Sequence, residues 1–324
     1  MKKLAYSLAL GLAAPIAAAA PALAEYPEGP VTIVVPYPAG GTTDVLARIV
    51  AEELSERLGE PFVIENRGGG GGSVGMAMLA QAEPDGYTLG AASILTHGIH
   101  PALRDDLPYD ALEDFTPVSL LADTPNVLLA NVDSDFHSVQ DVIAYAKENP
   151  GELDFGSTSV TGSPHMSGEM LKALAGIDMV HVPYQGGGPL LAAVMGGEIP
   201  LGFDNLPSAS GHIRGESVRA LAVTTTERSE EHPDIPTFQE EGVEGYDVTA
   251  WFGIVAPAGV PEDVIAVLET HIAEALSEED TRQRLADIGA SAVGSTSAEF
   301  AQRMEEEVAR WQNVVKQVDI DLDN

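Results

Sequence analysis

Residues 31–48 read VTIVVPYPAGGTTDVLAR, and the fold turns on how they are parsed. An apolar, β-branched run, Val31–Val35, stops at Pro36. Residues 36–41 then supply two prolines and two glycines before an amphipathic helix opens at Thr42 or Thr43. This is a strand, a tight loop and a helix. Such a loop leaves the first N–H groups of the helix unpaired. It aims them, with the positive end of the helix dipole, at the space above the strand's carboxyl end. That space is a seat for an anion. The loop has no Lys, Arg, His, Cys or Ser, so it brings neither a nucleophile nor a general base. It is built to hold rather than to react.

Working outward, the same alternation continues. The first helix, over 43–58, is stopped by Gly59 and Pro61, and 62–64 reads as a second strand. Glu65-Asn66-Arg67 and the five glycines of 68–72 lead into a helix over 73–82, a Pro84-Asp85-Gly86 turn and a third strand over 87–91. A βαβαβ order predicts a parallel sheet with ligands at the carboxyl ends of its strands. Residues 94–109 read as irregular, and 115–122 and 127–131 as two strands separated by Thr124-Pro125-Asn126.

A second α/β alternation follows: helix 138–149, strand 154–156, helix 165–175, strand 179–182, helix 189–195, then strands 199–203 and 220–224. A strand over 251–256 and helices over 261–276, 279–288 and 297–318 close the chain and are expected to return onto the first lobe. The chain would then cross between lobes twice, near 123–126 and near 247–251. Two crossings make a hinge with a cleft between the lobes.

Composition narrows the function. The 324 residues carry 16 basic and 50 acidic side chains, a net charge of −34, or −36 without Lys2 and Lys3. The acids are spread over what read as polar helix faces, for example Glu52, Glu53 and Glu56, which is the pattern of a solvated surface adapted to salt. Such a charge argues against nucleic acid, whose affinity comes from Lys and Arg. Cysteine is absent, which excludes disulfides, thiolate metal sites and a lipid-modified N-terminal Cys, so a core drawn from 44% apolar residues must hold the fold. Lys2 and Lys3, the apolar stretch 4–20, Pro21 and Ala22-Leu23-Ala24 read as a signal peptide over 1–24, cleaved after Ala24. A retained anchor is the alternative. Pro15, the Ala-rich composition and the cleavage site speak against it.

The loops decide between chemistries. Gly70-x-Gly72-x-x-Gly75 formally matches a dinucleotide fingerprint, but a glycine run satisfies many patterns and no acid for a ribose follows the next strand. Residues 156–165, GSTSVTGSPH, form a strand-to-helix loop of hydroxyls that can donate to a carboxylate or cap the helix. Ser163 or Thr161 activated by His165 or His181 would make a secreted hydrolase, yet neither sits at the centre of a G-x-S-x-G elbow. His97, His100, His165 and His181 lack metal-site spacing, so no metal or cofactor is expected. A third loop, 181–188, has the same build, and Asp204-Asn205 ends another strand that could face the cleft.

Taken together, 36–44 (PYPAGGTTD), Glu65-Asn66-Arg67 with its glycines, 84–88 (PDGYT), His165 after the Ser/Thr loop, 181–186 (HVPYQG), 221–224 with Arg228, 233–237 (PDIPT) and Trp251 with 256–259 resemble the solute-binding proteins of tripartite tricarboxylate transporters, the Bug family. The resemblance runs through nearly all of the chain after its leader. It implies a periplasmic, two-lobed "Venus flytrap" of the α/β class, each lobe a mainly parallel sheet flanked by helices. Lobe 1 would be 25–124 with 250–324, and lobe 2 would be 125–249. The implied function is capture of a small organic carboxylate and its delivery to the membrane subunits of a carrier, without catalysis and as a monomer. A ligand-sensing partner of a sensor kinase would look the same in sequence. Dicarboxylates, tricarboxylates, aromatic acids and acidic amino acids are all compatible solutes. The implied contacts are Tyr37, Ala39, Gly40 and Thr42 from the first loop, Ser157, Thr161, Ser163 and His165 from the second, and Tyr184, Gly186 and Asn205 on the cleft wall. Asp44 matches the family too, but a carboxylate beside an anion seat repels it, so Asp44 is expected to turn sideways into a structural hydrogen bond. Two departures stand out: the glycine loop lacks the usual Pro and Ala, and the acidity points to a saline habitat.

Overall fold

The computed structural model describes residues 26–317, so the expected signal peptide and cleavage site lie outside the described residues. The first strand, β1 (Val31–Val35), is buried at Val31, Ile33, Val34 and Val35, as a central parallel strand must be. Helix α1 (Thr42–Leu58) crosses over to β2 (Phe62–Asn66), and α2 (Ser73–Ala80) crosses to β3 (Thr88–Ser93). Both strands run parallel to β1, with Ile33 opposite Ile64 on one side and Leu89 on the other. Leu46, Val50 and Leu54, at helical spacing, put one face of α1 into the core.

A short helix, α3 (His100–Leu103), preceded by a wide helical turn over Leu95–Ile99, occupies a segment expected to be irregular. The chain then enters β4 (Phe115–Ala130), and after α4 (Val139–Glu148) the second lobe repeats the plan of the first. Strand β5 (Asp154–Ser157) is parallel to β6 (Val180–Pro183) and β7 (Leu201–Asn205), connected through α5 (Ser163–Ala175) and α6 (Gly187–Met195). The orders β2-β1-β3 and β6-β5-β7 are equivalent. Helix α7 (Leu206–Arg214), absent from the sequence reading, leads to β8 (Arg219–Val223). Pro207, Ser208, Ser210 and Gly211 break its apolar period, although Pro207 suits the first turn of a helix.

Strand β4 is the main correction. The sequence suggested two strands broken at Pro125. Instead β4 pairs antiparallel with β9 (Thr249–Pro257) from Phe115 opposite Pro257 to Pro125 opposite Thr249, then continues against β7 and β8. Pairing changes partner at Pro125 without a gap: the Asn126 N–H donates to Thr224 Oγ1 at 2.8 Å, and the Thr224 N–H donates to the Asn126 carbonyl oxygen at 3.0 Å. The two crossings are therefore one hydrogen-bonded ribbon, with Asp123 opposite Trp251 and Thr124 opposite Ala250.

Helices α8 (Glu262–Ser277), α9 (Glu279–Ala286) and α10 (Ser297–Gln317) return to the first lobe, as expected from sequence. Leu268, Ile272, Leu285, Phe300 and Trp311 join the core of Val31 and Ile33. A two-residue strand, β10 (Ser291–Ala292), adds to β4. The second lobe has one apolar cluster around Phe155, Phe203 and Tyr246 and another around Leu190, Val194 and Leu206. Among the described residues no helix is long and apolar enough to cross a membrane.

Candidate ligand-binding cleft

A cavity of about 910 Å³ lies between the lobes, at the carboxyl ends of the parallel strands. The first lobe contributes Pro36–Ala39, Gly41–Thr43, Gly68–Gly72, Ser93–Leu95 and His100. The second contributes Thr158–Pro164, Gln185–Pro189, Asp204, Asn205 and Ser208. Within this lining Arg104 is the only Lys or Arg, and its guanidinium is paired with Asp106 at 3.0 and 3.2 Å.

Positive potential comes instead from the backbone. The N-terminal residues of α1, α5, α6 and α7, and the glycine loop that opens α2, all border the cavity, and no side chain caps any of these helices. By contrast α4, whose residues are absent from the lining, is capped by Ser138 Oγ, which accepts from the Asp141 N–H at 3.1 Å. Helices α8 and α9 also lack side-chain caps, but their first turns carry Glu262 with Asp263 and Glu279 with Asp280, which complement the dipole. Of the five cleft helices only α1 has an acid there, Asp44.

Asp44 is turned into structure. It accepts from Arg48 at 2.9 Å through both carboxylate oxygens, from the Gly40 N–H at 2.9 Å and from Asn66 Nδ2 at 2.9 Å. Burial alone would raise its carboxyl, but these bonds outweigh burial and hold it below the usual carboxylate range. The glycine run serves geometry: Gly69, Gly70, Gly71 and Gly72 all have positive φ, so a side chain at any of them would be strained. Gly75 has another reason. A Cβ there would lie 2.8 Å from the Arg67 carbonyl oxygen and 2.9 Å from Pro36 Cα, so a bare Gly75 lets α2 lie against the first loop.

Tyr37, Ala39, Thr42, Thr161, Ser163, Gly186 and Asn205 are brought together on the lining, whereas Gly40, Ser157, His165 and Tyr184 are not. The Gly40 N–H is committed to Asp44. The Tyr184 ring packs behind the wall, over Gly156 and the Leu190 cluster. Ser157 is fully buried and donates to the Ser159 carbonyl oxygen at 2.9 Å, and the buried His165 accepts the Thr161 N–H through Nδ1 at 2.9 Å. Three of the hydroxyls that face the cavity are also engaged. Thr161 Oγ1 donates to the Val160 carbonyl oxygen at 2.7 Å, Tyr37 shares a 2.8 Å bond with Ser93 Oγ, and Ser163 Oγ donates to Asn126 Oδ1 at 3.3 Å. Asn126, on β4, also accepts from Asn205 Nδ2 at 2.5 Å, tying two lining residues to the hinge strand. Its role was invisible in sequence because its side-chain partners, Ser163, Ser167 and Asn205, all come from distant segments.

The Ser157–His181 contact, 2.7 Å from Oγ to Nε2, is where the second-lobe loop comes nearest to a nucleophile and base. It is not one. The Ser157 proton goes to the Ser159 carbonyl, so the His181 Nε2–H donates to Oγ, the reverse of what activation requires. His181 stacks on His165 with ring centroids 3.7 Å apart, and burial lowers its pKa to about 3. Three lining side chains keep a buried polar atom without a partner: Thr42 Oγ1, His100 Nδ1 and Asp204 Oδ2. Burial and the nearby Arg104 charge lower His100 to about 4, so it is a neutral group at physiological pH.

Known proteins agree with this architecture. The family described as the tripartite tricarboxylate transporter family receptor matches residues 46–320. Protein BugT of Bordetella pertussis is 35% identical over 310 residues, which is 95% of this chain and 93% of that one. The structure of R. palustris Rpa4515 with adipate superposes with a TM-score of 0.89 at 36% identity, covering 91% of this chain and 99% of that one. MatC from Rhodopseudomonas palustris with bound malate gives 0.84 at 35% identity, covering 90% and 100%. With its two lobes, its backbone-lined cleft and a misdirected Ser–His pair, the chain belongs to the tripartite tricarboxylate transporter receptor family and is a solute receptor, not an enzyme.

Proposed function

We propose that this protein captures a small organic carboxylate between its lobes and delivers it to the membrane subunits of a tripartite tricarboxylate-type carrier. One observation carries the reading: five helix N-termini open onto one cavity without side-chain caps, and the only acid in their first turns faces elsewhere. Neutral backbone donors can hold an anion in a chain of net charge −34, because they act at hydrogen-bond range while the surface charge is screened by salt. The related structures with adipate and malate support the carboxylate class.

The seat consists of Ala39 and Thr42 with the N-terminal amides of α1, faced by Thr161, Ser163, Gly186 and Asn205, with the Tyr37 ring between. The lobes are 25–124 with 250–324, and 125–249, and ligand bridging them favours the closed form that the carrier meets. The protein works as a single copy in the periplasm once the leader is removed after Ala24, and its acidic surface suits a saline medium.

A thermal-shift screen of the mature protein against organic acids, in high salt, tests this. A ligand at about a hundred times its dissociation constant adds roughly 2.7 kcal/mol. One acid class should raise the midpoint and be recovered unchanged. If only nucleotides, metals or esters do so, the assignment fails.

A further inference from the structure

Two acids adjoin cleft helices, Asp44 in the first turn of α1 and Asp204 one residue ahead of the N-cap of α7, and they are treated differently. Asp44 has partners on both oxygens. Asp204 ends β7, where Oδ1 accepts the Asn205 N–H at 2.7 Å, while Oδ2 is buried and has no partner. The residue is 1% exposed, and it lines the cavity beside Gly187 and Ser208. A Cβ on Gly187 would sit 2.9 Å from Oδ2 and 3.0 Å from Ser208 Oγ, so the bare glycine leaves the space over this oxygen free of side chain. Ser208 does not satisfy it, since its own proton is donated to the Asn205 carbonyl oxygen at 3.0 Å. Among the described residues no Lys or Arg forms an ion pair with it. A buried acceptor left unpaired is costly unless something else supplies the donor.

In a cavity whose lining includes no other carboxylate, an unpaired carboxylate oxygen selects. We propose that Asp204 is the specificity-determining residue of the cleft: the solute is a carboxylate that also carries a hydrogen-bond donor, a hydroxyl or an ammonium, which pairs with Asp204 Oδ2. This rests on the carboxylate reading above and narrows it. Family membership does not decide the point, because malate has such a hydroxyl and adipate has none. Thr42 Oγ1, the unpaired hydroxyl on the opposite lobe, is the complementary group for the solute's acid.

The test is isothermal titration of the mature protein at pH 8 and high salt with three matched series: propionate, lactate and alanine; succinate, malate and aspartate; glutarate, 2-hydroxyglutarate and glutamate. In the series that fits the cleft, a donor-bearing acid should bind at least about tenfold tighter than its plain counterpart, and Asp204→Asn should shrink that ratio about fivefold or more. The hydroxy and amino arms identify the donor. If plain acids bind as tightly as their substituted partners, or Asp204→Asn leaves the ratio unchanged, the inference is overturned while the carboxylate reading survives. If a nucleotide, metal or ester binds and none of the nine acids does, the carboxylate reading itself fails and this inference falls with it. Should Asp204→Asn not fold, the wild-type ratios still decide.

Discussion

At the scale of single residues, Asp204 has an energetic signature independent of any solute. Burial pushes its carboxyl from the ordinary 3.8 up to about 7, against the Asn205 N–H that pulls the other way. The folded state therefore holds this proton more tightly than the unfolded chain does. Unfolding releases it between about pH 4 and pH 7, so this residue's contribution to stability falls as pH rises through that window. Each pH unit of the rise corresponds to about 1.4 kcal/mol. Ligand-free Asp204→Asn should melt above the wild type at pH 8, by a few kcal/mol, and the difference should close near pH 4. A midpoint difference that stays constant with pH would show that Asp204 is not a strained acid. Residue roles were legible where chemistry forbade the alternative, as with Asp44, whose charge could not share a seat with an anion. They were illegible where a side chain had a choice of partners. Ser157 and Thr161 could donate to a solute or to a nearby carbonyl, and folding chose the carbonyls of Ser159 and Val160.

Elements read more reliably than residues. β1 falls on the residues expected, and α1 begins at the first of two suggested threonines. Periodicity fixes such segments, because a slip of one residue would turn an apolar face outward. It failed at β4, where Pro125 reads as a break, and at α7, where small polar residues hide a short helix. The glycine-rich corner tests how elements meet. At Gly75 a methyl group would strike the Arg67 carbonyl oxygen and Pro36 Cα, both backbone atoms that cannot swing aside. Gly75→Ala should cost about 2 kcal/mol and weaken binding, because it displaces α2 from the loop that seats the solute. The control is Gly211→Ala in α7. It has open space and no positive φ, so it should gain a few tenths of a kcal/mol to about 1 kcal/mol. Equal effects at the two sites, read by chemical denaturation, would refute the close approach. Gly75 thus performs the packing job of the third glycine in a dinucleotide fingerprint, with no nucleotide involved.

For the molecule as a whole, charge and hinge set the terms. At −34 the folded chain repels itself, and screening shortens from about 10 Å at 0.1 M salt to about 3 Å at 1 M. The melting midpoint should climb steadily over that range of sodium chloride, and a flat response would mean that the acids are too dispersed to matter. Both lobes and their two crossings were foreseen because alternation and return of the chain are global patterns. The continuity of the crossings was not, since it depends on pairing between residues more than a hundred positions apart. That continuity has a mechanical consequence. At the crossing, from Ala122 opposite Phe252 to Pro125 opposite Thr249, the strands pair without a register shift and resist sliding, so β4 and β9 flex and twist together there, like a strap. Work done in flexing it during capture is returned on release. In a receptor that closes by bending this strap, solution affinity is the strength of the seat less that elastic work.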